Sequence, residues 1–194
     1  DGIRDYKVTG VQTCALPISY FANGEYTRAS QAFEEAENVA NIDPTLRRQA
    51  RFQKAWILFR NQAYEQAQPI FEAVYAETPT SELGAEALFW SGDSYYKLDQ
   101  YADAAKRFKL FVDNFPEHEM IGAARYSLGW SYFKTGDYDL AVGPLEDFIE
   151  NYNPPPIALY PYDVDTRLRI GDAYYALGDY RNAIRFYNQA IGAE

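Results

Sequence analysis

The strongest constraint on the fold is an internal repeat, because four stretches of the chain can be aligned position by position. Each stretch has a small residue near the middle of a helical segment, a position that we call the small slot; it holds Ala55, Gly92, Gly129 and Gly171. The slots are spaced by 37, 37 and 42 residues. A period in this range, with small and aromatic residues at fixed offsets, is typical of a helix-turn-helix solenoid.

Three further positions follow each small slot at constant distances. Nine residues on is a tyrosine, at Tyr64, Tyr101, Tyr138 and Tyr180. Three beyond it is an alanine, at Ala67, Ala104, Ala141 and Ala183. Four beyond that is a large residue, at Phe71, Phe108, Leu145 and Tyr187. Because antiparallel helices approach closely only where side chains are small, we expect the two small positions at the helix crossing and the large residues around it.

Short polar turns separate the two helices of each stretch. Two of these turns contain Gly-Asp, beginning at Gly136 and Gly178. Glycine accepts a positive φ at a helix end, and aspartate can cap the helix that follows. We expect the second helix to end near Pro79 and Pro116, because proline stops a helix.

These motifs resemble the tetratricopeptide repeat (TPR) family, whose pattern runs small-x-x-Tyr in helix A and Tyr-x-x-Ala-x-x-x-Phe in helix B, followed by a late proline. One stretch matches fully, at Gly92, Tyr95, Tyr101, Ala104, Phe108 and Pro116. The resemblance covers about residues 20–194 and implies an all-α, right-handed superhelical solenoid of TPR helix-turn-helix repeats. It also implies a non-enzymatic protein–protein interaction scaffold whose partner is a protein or a peptide.

The repeat period is longer than usual, since TPR units have about 34 residues. In this respect the chain resembles TPR proteins of the bacterial cell envelope, such as the Tol-Pal-associated periplasmic protein and the lipoprotein of the outer-membrane β-barrel assembly machinery. This narrower resemblance implies a periplasmic or outer-membrane-associated location and membership of a larger complex.

Residues 1–18 do not continue the repeat. Its small slot would fall on Pro17, and proline in a helix interior costs roughly 3 kcal/mol or more. The segment from Val8 to Ile18 resembles the translation of a sequencing-library adapter, so we interpret residues 1–18 as a non-native, adapter-derived segment. A signal peptide is the alternative, but its apolar stretch would be short and interrupted by polar residues.

The remaining residues, 19–194, are predicted to form a single TPR array. We place a partial repeat, helix B only, at 20–44 and full repeats at about 48–80, 85–118, 122–153 and 164–194. The irregular connection contains Pro154, Pro155 and Pro156. Two interpretations of this segment are kept, a stiff spacer and a docking site for an aromatic-lined partner. No polar capping helix follows the last repeat, so we expect a slice of a longer array.

Charge and composition exclude several classes of function. The net charge is -10 and the pI is about 4.6, which argues against nucleic acid and anionic membrane as partners. No apolar run approaches the length of about 18 residues that spans a bilayer, so we expect no direct membrane insertion of this fragment. The only cysteine, Cys14, lies in the excluded segment, so the sequence predicts no disulfide and no cysteine-based metal site.

No motif indicates an enzyme, a cofactor or a metal. The only histidine, His118, is expected to be a solvated loop residue rather than a catalytic base, since no nucleophile accompanies it. Asp163 and Asp165 are expected to cap a helix start. Glu34, Glu35 and Glu37 are expected to form a solvated acidic face.

The candidate binding site follows from the TPR resemblance, which implies that helix A lines a concave groove. Lining residues would lie three before and one, four and five after each small slot, unless they are buried between helices A. Aromatic residues with interleaved cations are good anchors for a protein ligand. A structural assembly subunit that uses its convex face or its ends is the alternative function. The predicted groove residues are Phe52, Trp56, Phe59, Arg60, Phe89, Asp93, Tyr96, Lys97, Tyr126, Trp130, Phe133, Lys134, Leu168, Asp172 and Tyr175.

TPR domains that clamp a C-terminal carboxylate carry lysine and asparagine at these offsets. Here aromatic residues stand in those positions, at Phe52, Trp56, Phe89, Tyr126 and Trp130. We therefore do not expect that clamp.

Overall fold

The structure is a computed structural model that describes residues 20, 23, 25–38, 43–151 and 160–192. These residues contain helices and turns but no β-strand, which confirms the all-α prediction. The chain divides after Ser94 into two compact units. In chain order the helices are α1 (Tyr26–Glu37), α2 (Pro44–Arg60), α3 (Tyr64–Glu77), α4 (Glu82–Lys97), α5 (Tyr101–Asn114), α6 (Ile121–Thr135), α7 (Tyr138–Asn151), α8 (Tyr160–Ala176) and α9 (Tyr180–Ile191).

The helices alternate between two roles. Helices α2, α4, α6 and α8 carry the small slots and are helices A, and the others are helices B. Neighbouring helices pack against each other in both units, as α1 does with α2 and α8 with α9. Helices α3 and α5 each end two residues before a proline, as predicted for Pro79 and Pro116. Helix α8 begins at Tyr160, before the predicted repeat start at 164.

The small slots at Ala55, Gly129 and Gly171 lie where helix A meets its helix B. Ala55 is fully buried in a cluster with Ala67 and Phe71. A Cβ added at Gly129 would overlap the side chain of Leu145. A Cβ added at Gly171 would lie 2.5 Å from the Tyr187 ring. The small slot thus faces the large residue of helix B, as the sequence predicts.

All four hairpin turns have the same backbone geometry. The residue seven positions after each small slot has a positive φ. These residues are Gln62 (62°), Asp99 (59°), Gly136 (84°) and Gly178 (80°). The next residue donates its backbone N–H to the carbonyl five residues back, as from Asp137 to Tyr132 at 2.9 Å and from Ala63 to Leu58 at 2.9 Å. This is the Schellman ending of a helix, which favours glycine at the left-handed position. Asp179 then caps α9 by accepting from the Asn182 N–H, as predicted.

Gln62→Gly should stabilise the fold, and Gly136→Gln should destabilise it. A side chain in the left-handed region costs about 1 kcal/mol, which glycine avoids. Nothing lies within 4 Å of a Cβ added at Gly136, so backbone strain alone separates the two residues there. We expect changes of opposite sign and up to about 1 kcal/mol in urea unfolding. Changes of the same sign would contradict this explanation.

His118 is not the solvated loop residue that the sequence suggests. It is 9 % exposed, and its ring lies 5.2 Å from the Phe111 ring and 6.4 Å from the Phe115 ring. Its Nδ1 accepts the backbone N–H of Met120 at 3.0 Å, immediately before α6. The histidine therefore holds the turn before helix A against helix B, which gives it a structural role.

The structure also corrects two predictions about acidic residues. Asp163 and Asp165 lie inside α8 rather than at its cap, and they pair with Arg167 (3.0 Å) and Arg169 (3.5 Å) one turn on. In the acidic group of α1, Glu34 and Glu35 are exposed, as expected. Glu37 is half-buried and accepts from Arg51 Nε at 2.6 Å, because α2 packs beside it. The Pro154–Pro156 segment and residues 1–18 lie outside the described residues.

Candidate functional site

The structure removes two residues from the predicted open groove. Phe52 is 4 % exposed and its ring meets the buried Phe71 ring edge-on at 5.5 Å. Phe89 is 7 % exposed. Both lie three residues before the small slot, and Phe52 belongs to a buried cluster with Ala67 and Phe71 of helix B and Ala87 of the next helix A. The prediction that these two side chains line an open surface is wrong, and they are part of the core.

In the first unit, the groove residues near the C-terminal end of α2 form a cluster with α4. Trp56 and Phe59 are half-buried, and both rings meet Trp90 edge-on at 6.0 and 5.1 Å. The exposed Arg60 places its guanidinium 5.0 Å from the centre of the Trp56 ring. We call these four residues the first-unit cluster.

The second unit has a matching cluster on α6 and α8. Trp130 and Phe133 are half-buried, and their rings are 5.9 Å apart. The Arg169 guanidinium lies 5.7 Å from the Trp130 ring and 5.9 Å from the Phe133 ring. The exposed Lys134 places its ammonium 5.9 Å from the rings of both Trp130 and Tyr101. We call Trp130, Phe133, Lys134 and Arg169 the second-unit cluster.

An aromatic pair closes the turn end of each hairpin. The residue four after the small slot meets the first tyrosine of helix B edge-on, with ring centres 5.1 to 5.4 Å apart. The pairs are Phe59–Tyr64, Tyr96–Tyr101, Phe133–Tyr138 and Tyr175–Tyr180. Tyr101 also donates its hydroxyl to Asp99. The clusters therefore rest on a repeated aromatic framework.

Sequence reasoning missed Trp90 and Arg169. Both lie two residues before a small slot, and both contact the residues one and four after the small slot of the preceding repeat. The sequence does show that Trp90 and Arg169 are large side chains at the same register position, which is the pattern that indicates a shared role. It could be recognised only with knowledge of how successive helices A lie against each other.

The other predicted groove residues have diverse surroundings. Tyr126 is half-buried against Phe148 at 5.1 Å and Trp130 at 6.1 Å. Asp93, Tyr96 and Leu168 are half-buried. Lys97 is exposed at the end of α4, and Tyr175 is 62 % exposed on α8.

Asp172 belongs to a polar network that joins α8 to α9. Its carboxylate accepts from Arg169 Nη1 at 2.7 Å and from the Tyr187 hydroxyl at 2.9 Å. Burial, followed by this hydrogen bond, raises the pKa of Tyr187 to about 12. Burial and a 2.9 Å hydrogen bond to Glu146 raise the pKa of Tyr174 to about 12 in the same way.

The two tyrosines should make the fold sensitive to alkali. Their folded pKa values lie above the ordinary value of 10.0, so their contribution is complete below pH 10 and is lost as the pH rises towards about 12. We expect the urea midpoint of the Tyr174→Phe/Tyr187→Phe double variant to fall less over this interval than that of the unmodified chain. If the urea midpoints of the two proteins fall equally with pH, the contribution of Tyr174 and Tyr187 to the alkaline loss of stability would be contradicted.

The described residues contain no group of histidine, cysteine, aspartate and glutamate side chains that could hold a metal ion. In the same part of the chain, no helix combines the length and the apolar character that crossing a bilayer requires. The two clusters present partly exposed aromatic rings with cations lying over them. Such surface can bind apolar and acidic groups of another protein.

Comparison with known proteins agrees with the helix pattern. The tetratricopeptide repeat profile matches four overlapping stretches, residues 15–82, 52–119, 91–163 and 126–194. The first stretch begins within the segment 1–18 that the repeat analysis separates from the array. No curated protein matches the sequence at a significant level.

Several solved structures share the fold. A putative kinesin light chain of nearly identical TPR-like repeats from Podosopora anserina is 18 % identical, with 94 % of this chain and 93 % of that chain covered and a TM-score of 0.67. MamA is 17 % identical, with coverages of 95 % and 91 % and a TM-score of 0.74. BtubC from P. vanneervenii is 19 % identical, with coverages of 93 % and 77 % and a TM-score of 0.70. At these identities the likeness shows the fold alone.

The profile extends over residues 15–194, and the small slot, the helix B alanine and the left-handed turn recur in the structure at the positions that the repeat pattern predicts. Repeats of this kind serve as scaffolds for protein–protein interaction. The chain belongs to the tetratricopeptide repeat family.

Proposed function

We propose that this protein is a non-enzymatic scaffold that binds a peptide or protein segment on the surfaces of its helices A. One arrangement that occurs in both units supports the proposal. A tryptophan one residue after the small slot, Trp56 or Trp130, lies beside a second aromatic ring and beneath a cation. Tryptophan and arginine are the residue types most enriched among the energetic anchors of protein interfaces.

The partial exposure of these rings supports a binding role in addition to a packing role. A core aromatic is fully buried, as Phe71 and Phe108 are in helices B. Trp56 and Trp130 are only half-buried, although each contacts the core on one side. A partly exposed indole with a neighbouring cation leaves apolar area that a ligand can cover.

Selection of short random peptides on the immobilised chain tests this function. We expect selected peptides to bind the unmodified chain and to lose affinity for Trp56→Ala or Trp130→Ala, depending on the unit that they occupy. Leu140→Ala is the control, because Leu140 is an exposed apolar residue on helix B (50 % exposed). Peptides that bind all the variants equally would contradict a helix A site.

A structural assembly subunit that uses its ends is the second candidate, and the apolar face of α9 favours it. On α7, Val142 and Ile149 are buried, at 8 % exposure each, in the unit where α8 packs against α7. Their counterparts on α9 by repeat register, Ile184 and Ile191, are 59 % and 72 % exposed. Exposed apolar area of this kind packs against another helix, which either a further repeat or another chain can supply.

Association through α9 should respond to a charge on that face. We expect Ile184→Glu to weaken self-association or complex formation measured by sedimentation, with little loss of stability because the side chain is exposed. Leu140→Glu is the matched control on α7. Equal sedimentation of both variants and the unmodified chain would count against assembly through this face.

We also propose a periplasmic or outer-membrane-associated location in a bacterium, which the long repeat period and the envelope-protein resemblance support. Fractionation of bacterial cells that express the native reading frame, without the adapter-derived segment, tests this location. Recovery with periplasmic and outer-membrane markers is expected, and recovery with cytosolic markers would contradict the proposal.

A further inference from the structure

We infer that the ligand of the second unit is an acidic segment whose carboxylates pair with Lys97 and Lys134 beside a large apolar side chain that covers Trp130. This inference rests on the proposed function and names the chemistry of the partner. The lysines of the described residues differ in whether a carboxylate of the same chain pairs with them.

Three described lysines have carboxylate partners in the chain itself. Lys54 lies 3.6 Å from Glu34, Lys106 lies 2.8 Å from Asp103, and Lys109 lies 2.8 Å from Asp113. Lys97 and Lys134 have no carboxylate of the described residues within ion-pair distance, and both are exposed. In a chain with 28 acidic and 18 basic residues, carboxylates are in excess, so pairing within the chain is easily available.

The two unpaired lysines share one register position, five residues after the small slot, at the ends of α4 and α6. A chain of contacts connects their surroundings. The Lys134 ammonium lies over the Tyr101 ring, and the Tyr101 ring meets Tyr96, the neighbour of Lys97 in sequence. Lys134 also lies over Trp130. Lys134, Tyr101 and Trp130 therefore form one patch of partly exposed rings beneath a cation, and Lys97 contributes a second cation at the matching register position of α4.

This patch has the chemistry of a complement to acidic, apolar peptides. An exposed ammonium over a ring is attracted to the negative face of the ring and keeps its outer side open to a carboxylate. A ligand carboxylate here would pair with a cation beside apolar surface, which strengthens the attraction relative to open water. The chain as a whole repels acidic ligands through its net charge of -10, so the local cations supply the selectivity.

The test uses the composition of selected peptides and a pair of charge-reversal variants. Short random peptides are selected on the unmodified chain and tested on Lys97→Glu/Lys134→Glu. The matched control, Lys106→Glu/Lys109→Glu, changes the net charge equally but alters paired lysines on helix B. We expect Trp130-dependent peptides rich in aspartate and glutamate, about tenfold or more weaker binding to the first variant, and less than about twofold change with the control. Selection on the first variant should then enrich lysine and arginine.

Each other outcome overturns the inference in a recognisable way. Trp130-dependent peptides without acidic enrichment, or with equal binding to the lysine variants, would overturn the acidic ligand and leave the proposed function standing. Equal loss in both double variants would assign the effect to net charge and overturn the inference as well. If no selected peptide depends on Trp130, both the inference and a Trp130-centred binding site fail.

Discussion

Phe108→Ala should lower the free energy of unfolding by about 3–5 kcal/mol, the cost of removing a fully buried aromatic side chain. Phe108 has no exposed surface and occupies the large position of helix B in the second unit, on the same helix as the buried Ala104 and Phe111. An alanine there would leave a cavity that neighbouring helices can fill only in part. Urea unfolding followed by circular dichroism measures the loss.

Leu140→Ala is the control for this change. Leu140 is 50 % exposed on α7, so we expect an effect within about 0.5 kcal/mol. Repeat arrays can unfold in steps, so a global unfolding curve does not show which helices lose stability. Amide exchange in α5, which carries Phe108, should therefore be compared with exchange in α1. A loss below about 1 kcal/mol for Phe108→Ala would show that the helix B position is not the core that the repeat requires.

Trp130→Ala should weaken a bound peptide by about 2 kcal/mol or more, which is roughly 30-fold in Kd. Trp130 is half-buried and packs on the cluster that contains Leu145 and Phe148, so some stability is lost as well. We expect that loss to be smaller than the loss for Phe108→Ala. Binding measured by fluorescence anisotropy and stability measured by urea unfolding are therefore both needed.

Trp130→Phe separates the two roles of this residue. The indole Nε1 is buried and has no hydrogen-bond partner among the described residues. An unpaired buried donor costs about 1–3 kcal/mol, so its removal offsets part of the lost apolar area. Phenylalanine should keep the fold and part of the affinity. A Trp130→Ala variant as unstable as Phe108→Ala, with unchanged binding in the folded fraction, would make Trp130 a core residue.

The features that depend on one hairpin were predictable from the sequence. The small slot, the helix B alanine and the left-handed turn recur at fixed spacing because each repeat solves the same local packing problem. Gly136 and Gly178 could be assigned to the turn from their residue type alone. Gln62 and Asp99 adopt the same conformation because the register of the repeat imposes it.

The features that depend on neighbouring helices were not predictable in the same way. Phe52 and Trp56 lie on one face of α2, and a helical wheel cannot show that Phe52 is buried against Phe71 whereas Trp56 is only half-buried. His118 appeared to be a loop residue because the packing of Phe111 and Phe115 around it requires knowledge of tertiary structure. The contacts of Trp90 and Arg169 likewise depend on how one helix A lies against the next.

The most direct test of helix A binding is the amide-exchange footprint of a selected peptide on the unmodified chain. We predict slower exchange in the C-terminal halves of helices A, around Trp56 and Phe59 or around Trp130 and Phe133. Helices α3, α5 and α7 should change little. Protection confined to those helices B, or to α9, would contradict the account and favour assembly through the other faces.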